Sequence, residues 1–204
     1  MWTFLVNGGP VMIPIVLTSI VALAFIVERG LALRWAQVIP PDLEKAATEC
    51  ATAEDLEVLK KACEQRSSAF SRLLFSAADH LNWPKSENTD TLETEARHEV
   101  TQLERGLVVL EIVVGISPLL GLVGTLHGLI QLFGGLGNPG LADSARISAG
   151  IAITLNTTFM GLLIAIPALI AWSYYNKKVE TMAVEMATLL EKFMRSQYRR
   201  KRKV

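Results

Sequence analysis

Charge is scarce in the most apolar part of this sequence. From Ile116 to Trp172, about 57 residues, formal charge occurs only at Asp143 and Arg146. That excludes a pair of soluble amphipathic helices, each of which would need a polar stripe toward water, whereas helices in lipid can be apolar nearly all round. Cysteine is scarce too: Cys50 and Cys63 are the only two. Neither has neighbours at metal-ligand spacing, so no disulfide scaffold or metal centre is expected, and both read as free thiols. No nucleophile is paired with a base and no phosphate loop is present, so neither an enzyme nor a cofactor is expected. The last apolar run, from Gly150 to Trp172, contains no Asp, Glu, Lys, Arg or His. It has no titratable group with which to carry a proton alone.

What remains is hydrophobic. Half of the 204 residues are apolar and the mean hydropathy is +0.34, too high for an ordinary soluble domain in a chain too short for a large transporter. The expected fold is an all-α membrane protein with three transmembrane helices, two of them long and extending into a cytoplasmic helical domain. The reading in order is a periplasmic N-terminal segment at 1–10, a first span at 11–33 and a cytoplasmic helical domain at 34–105. A second span follows at 106–133, a periplasmic turn at 134–146, a third span at 147–175 and a basic cytoplasmic helix at 176–204. Lys and Arg crowd the middle segment and the C-terminus, while the N-terminus and the turn carry only Arg146, which places those two outside. Val11 to Ala24 is long enough for the core of a signal peptide. It lacks a positive segment before it, so it reads as a retained span.

The soluble stretches show helix spacing. Leu56, Leu59 and Ala62 or Cys63 recur on one face, as do Phe70, Leu73, Leu74 and Ala77, and Asp42 is placed to cap the helix after Pro40-Pro41. The loop from Asn82 to Asn88 is expected to end at a helix start near Thr89 or Asp90. That helix should run unbroken past Arg105 into the second span. The third span should likewise continue into a cytoplasmic stripe of Val179, Met182, Met186, Leu189, Leu190 and Phe193. The basic end, from Arg195 to Lys203, would suggest nucleic acid in a soluble protein. Beside a span it reads as an anchor to anionic lipid and a topology signal, with no nucleic acid involved.

Small and hydroxylic residues interrupt the spans. Pro118, Gly121, Thr125 and Gly128 share one face of the second, with Gly124 beside them, and Gly150, Thr154, Thr158 and Gly161 share one face of the third. Close helix packing accounts for the glycines. Thr154, Asn156, Thr157 and Thr158 turn more than one face polar, which suggests contact with a polar object and not with lipid. Glu111 lies two turns before Pro118, and an intramembrane carboxylate is a functional candidate by default; structural ion pairing is the alternative. His127 reads as a packed or interface histidine.

A hydroxyl wall without its own carboxylate makes sense if a partner supplies one. PLLGLVGTLHGLI (Pro118 to Ile130) and GIAITLNTTFMGLLIAIPALI (Gly150 to Ile170) resemble the second- and third-helix signatures of the ExbB/TolQ/MotA proton-channel family. Gly8 to Leu33 is similar to its first helix. The resemblance implies a homopentamer in the bacterial inner membrane. Its channel would hold two copies of an ExbD/TolR-like single-span partner with an intramembrane Asp, acting with a TonB/TolA-like force transducer. Thr125 and Thr158 match the family threonines that face that Asp, and Pro118 and Pro167 match its helix-breaking prolines. Where ExbB and TolQ types usually carry a Glu, this chain has Ile153, which leaves proton or sodium open. A MotA-like motility stator and an oligomeric membrane scaffold without conduction are the alternatives.

Overall fold

The computed structural model describes residues 9–50, 52–134 and 144–201. The expected interfacial segment around Trp2 and Phe4, most of the turn including Asp143, and Arg202 and Lys203 lie outside the described residues. The chain divides into two compact units, Met1–Glu28 with Gly106–Tyr174, and Arg29–Arg105 with Tyr175–Val204. Among the described residues all regular structure is helical, and three helices are long and apolar enough to cross a membrane. This is an all-α membrane protein.

In the first unit, α1 (Met12–Ala32) begins just after Gly9, whose φ of 68° is open to glycine at little cost and whose carbonyl accepts from the Met12 N–H at 3.1 Å. Helix α7 (Leu107–Gly134) and the first part of α8 (Ser144–Lys201) form the other two apolar elements. Met12, Ile15 and Ala22 of α1 are buried with Val113 of α7 and Ile164 and Ala168 of α8. Around this thin core the outer surface is Ile, Leu, Val and Phe: Ile13, Leu23, Ile130, Phe133, Leu155 and Ile170 are all more than half exposed. In water such a surface would drive aggregation; in a bilayer it is the solvated side.

The second unit builds an ordinary hydrophobic core from short helices, in chain order α2 (Trp35–Val38), α3 (Pro41–Glu49), α4 (Ala53–Gln65) and α5 (Ala69–Asp79), a 3-10 turn at His80–Asn82, and α6 (Lys85–Glu104). Helix α4 opens with a reciprocal cap: the Asp55 N–H donates to Thr52 Oγ1 at 3.1 Å and the Thr52 N–H donates to Asp55 Oδ2 at 2.7 Å. Ser68 and Ser71 repeat the device at α5. Phe70, Leu73, Leu74 and Ala77 are buried with Leu59, Cys63 and the Met182, Met186, Leu190 and Phe193 stripe of α8.

Several helix ends differ from the sequence reading. Pro40, not Asp42, occupies the N-cap of α3, and Asp42 falls in its first turn. Helix α6 starts at Lys85 because Pro84 holds the extended N-cap conformation, so Thr89 and Asp90 lie inside the helix. The helix expected to pass Arg105 unbroken is interrupted at Arg105 and Gly106, and glycine is a weak helix former. Helix α8 begins at Ser144, so the backbone of Arg146 is in its first turn and not in the connecting turn.

Candidate functional site

The hairpin of α7 and α8 is held by a seam of small residues. A Cβ on Gly124 would overlap the Thr157 side chain, and one on Gly121 would come within 3.1 Å of the Thr157 carbonyl and the Thr158 Cα. One on Gly128 would lie 2.9 Å from the Gly150 carbonyl, and one on Gly161 2.6 Å from the Ser117 carbonyl. Such spacing leaves room only for hydrogen at these positions, the condition for backbones in close contact in lipid. Thr157 and Ser117 are fully buried in the seam. Their hydroxyls donate back to the carbonyls of Ile153 at 2.9 Å and Val113 at 2.7 Å, so each brings its own acceptor.

Helical geometry then sorts the remaining residues to either side. At about 100° per residue, positions seven apart stack on one face. On α7, Val113, Leu120 and His127 flank the seam on the side where α1 packs; Val113 and Leu120 belong to the α1 cluster, and His127 lies beside Gly9. Glu111, Pro118 and Thr125 flank it on the other side. On α8, Ile164 and Met160 belong to the α1 cluster, whereas Ile151, Thr158 and Ala165 flank the opposite edge. Because the two helices run antiparallel, Thr125 and Thr158 turn to the same side of the hairpin, the side that α1 leaves open.

On that open face the hydroxyls are oriented. Thr125 Oγ1 donates to the Leu122 carbonyl at 2.6 Å, and Thr158 Oγ1 donates to the Thr154 carbonyl at 3.2 Å. With the proton turned to the backbone, each oxygen presents lone pairs outward, an acceptor for an incoming protonated group. Pro118 adds another acceptor: it has no N–H, so the Val114 carbonyl one turn earlier loses its helical donor. Pro167 likewise removes the donor of the Leu163 carbonyl in α8, but it lies about 180° around that helix from Thr158, off the open face. Thr154 is half-buried at the seam edge, its hydroxyl donating to the Gly150 carbonyl at 2.9 Å, and Glu111 is exposed toward the α6 end of α7.

The structure therefore brings Thr125, Thr154, Thr158 and Glu111 onto or beside one surface, and separates two residues grouped with them by sequence. Thr157 is inside the seam. Asn156 is about 200° around the helix from Thr158, away from the open face. Residue types alone could not distinguish them, since four polar residues in five positions inevitably point several ways. Ser117 was not singled out from sequence; its position next to the helix-breaking Pro118 was the available signal. Among the described residues no group of three or more potential ligands could hold a metal ion.

Comparison with known proteins matches residues 45–188 to the MotA/TolQ/ExbB proton channel family. The chain is 33% identical over 175 residues to the ExbB-like 1 protein of Synechocystis sp., covering 81% of this chain and 66% of that relative. It is 30% identical over 95 residues to the biopolymer transport protein ExbB of Aquifex aeolicus, covering 47% of this chain and 64% of the relative. To the Tol-Pal system protein TolQ of Pseudomonas aeruginosa it is 36% identical over 95 residues, 47% of this chain and 41% of the relative. The match thus spans less than two thirds of each of these relatives. The family match runs through α7 and most of α8, including Thr125 and Thr158, and on that ground the chain belongs to the MotA/TolQ/ExbB proton channel family.

Proposed function

We propose that this chain is the pore-lining subunit of an inner-membrane, ion-motive-force-driven complex that conducts protons. Five copies surround two copies of a single-span partner of the ExbD/TolR kind, with the N-terminus periplasmic and the C-terminus cytoplasmic. The observation that carries the reading is the open face of the α7–α8 hairpin, where Thr125 and Thr158 stand on the side that α1 does not cover. A partner carboxylic acid, when protonated, donates to these outward lone pairs and can move along the wall. When ionised it is held where water or a donor solvates it, since an unpaired carboxylate in lipid is costly. One charge crossing the membrane releases about 2.3 kcal/mol per 100 mV, enough to bias a step between packed helices. Glu111, on the same face, would serve as a station toward the cytoplasm.

Work of this kind would power an envelope process, outer-membrane transport through a TonB/TolA-like transducer being the first choice given the ExbB and TolQ relatives. A scaffold that oligomerises through its glycine stripes is disfavoured because those glycines are engaged within the chain, against Thr154, Thr157, Ser117 and Gly150. The test is proton uptake into vesicles holding the chain and its co-purifying single-span partner. Thr125→Val and Thr158→Val are expected to abolish uptake while assembly survives. Wild-type uptake by both variants would overturn the assignment.

A further inference from the structure

Two strips of opposite charge lie at the same height in the second unit and are not paired with each other among the described residues. Helix α6 carries six carboxylates against Lys85 and Arg97. Its inner face buries Asn88, Leu92 and Glu99, so Glu87 and Asp90 are exposed on other faces, and neither side chain has a partner among the described residues. Glu93, on the same outward side, is paired with Arg97 at 3.1 Å. The last part of α8 buries Met186, Leu190, Phe193 and Met194, which leaves Lys192, Arg195 and Arg199 in a row on its outer face, at intervals of three and four residues.

Among the described residues the side chains of these three cations have no hydrogen bond or ion pair. Their neighbours are engaged: Arg200 donates to the Cys50 carbonyl at 2.7 Å, and Lys201 donates to the Leu81 carbonyl at 2.9 Å and to Asn82 Oδ1 at 2.8 Å. A helix C-terminus attracts cations only within its last turn, which explains Arg199 through Lys201 but not Lys192 or Arg195. The heights are fixed by Asn88, whose Nδ2 donates to the Tyr198 hydroxyl at 3.1 Å and lies 3.5 Å from Met194 Sδ. The acidic start of α6 is therefore level with the stretch of α8 from Lys192 to Arg199.

We propose that the outer face of α6 around Glu87 and Asp90 docks onto the Lys192, Arg195 and Arg199 row of a second copy of this chain. The strips are on different faces of one packed unit, so each copy offers an acid to one neighbour and a base to the other. That is a heterologous contact, the kind that closes into a ring when copies are related by an axis along the helices. An axis in that direction keeps heights equal, which is the condition Asn88 has set. Anionic lipid is the competing occupant. The row begins about 17 residues beyond Tyr175, roughly 25 Å of helix at 1.5 Å per residue, which is long for a headgroup contact beside the end of a span.

The inference rests on the ring-forming reading above, and the experiment separates the two. In membranes containing the full chain, Asp90→Cys combined with Arg195→Cys is oxidised and run without reductant. A ladder of covalent oligomers is expected, whereas Glu54→Cys with Arg195→Cys gives none. Separately, Glu87→Lys with Asp90→Lys should weaken self-association at least tenfold, and adding Lys192→Glu with Arg195→Glu should restore it to within twofold. Both strips are exposed, so the core is untouched, and circular dichroism verifies the fold. If the wild type assembles but the 90/195 pair yields no ladder, or charge reversal changes nothing, the contact is wrong. Loss of binding to anionic vesicles on reversing Lys192 and Arg195, with assembly intact, would overturn it in favour of lipid. A wild type that is monomeric under all conditions would instead sink the ring reading itself.

Discussion

Gly124 of α7 lies against the side chain of Thr157 in α8, so close that a methyl group on the glycine would occupy the threonine's space. The relationship makes the hairpin sensitive to one carbon. Gly124→Ala is expected to cost about 1–3 kcal/mol, the usual range for overpacking a tight contact, read as a lower unfolding midpoint in detergent. Thr157→Ala in the same chain should recover much of the loss by vacating the space. Gly115, whose added Cβ would meet nothing within 4 Å, is the control. There the same substitution should be neutral or stabilising by up to about 1 kcal/mol, since alanine is the better helix former.

Apolar length and helix spacing made the three membrane helices and the soluble helices legible in the sequence. The Phe70, Leu73, Leu74 and Ala77 stripe is buried in the structure on the side its spacing indicates. Helix starts were less legible, because Pro84 and Pro40 set extended N-cap conformations that outweighed the capping preference of nearby Thr and Asp. At the site, the glycine and threonine positions stood out but their division did not. Whether Thr157 faces a partner or its own chain depends on which residues of the facing helix are glycine at the same height. That is a tertiary match, and no single helix contains it.

In the second unit, Arg72 reaches Glu99 with two nitrogens, Nε to Oε1 at 2.6 Å and Nη2 to Oε2. The Glu99 side chain is 8% exposed and accepts both hydrogen bonds of that fork, and the hydrogen bond in turn raises the Arg72 pKa. Glu99→Ala should destabilise the chain by about 1.5–3 kcal/mol, the range for hydrogen bonds to charged groups, with the half-exposed guanidinium recovering part of its hydration. Arg72→Lys should be nearly as harmful, because an ammonium cannot reproduce the planar fork. Chemical denaturation of the purified variants checks both.

Burial pushes the Cys63 thiol up to about 11, so at neutral pH almost none of it is thiolate. Cys50 moves in the same direction, chiefly by desolvation with Asp55 adding to it, though Arg200 and a hydrogen bond to Gln197 oppose the rise. A maleimide or disulfide reagent should therefore label neither at an appreciable rate in the folded chain at pH 7. Both should label within the dead time of unfolding in denaturant. Rapid labelling of native Cys63 would contradict its burial among Leu59, Phe70 and the α8 stripe.

Asp79, at the end of α5, accepts from Lys60 Nζ of α4 at 2.9 Å, and this hydrogen bond, with the lysine's charge, holds the carboxyl below its ordinary value of 3.8. A carboxyl depressed in the folded state binds its proton more readily in the unfolded state. Its contribution is thus complete above the unfolded pKa and is lost as pH falls through the folded one. The pair is solvent-exposed at Asp79, so the contribution stays below about 1 kcal/mol and shrinks further in salt. Lys60→Met should return the Asp79 titration toward 3.8, followed by the carboxyl carbon shift in NMR. At neutral pH the variant should be slightly less stable than the wild type. Below the folded pKa of Asp79 this pair no longer contributes, so the difference due to it should vanish, whereas a gap that widened on acidification would mean that Lys60 stabilises α4 by some route other than this carboxylate.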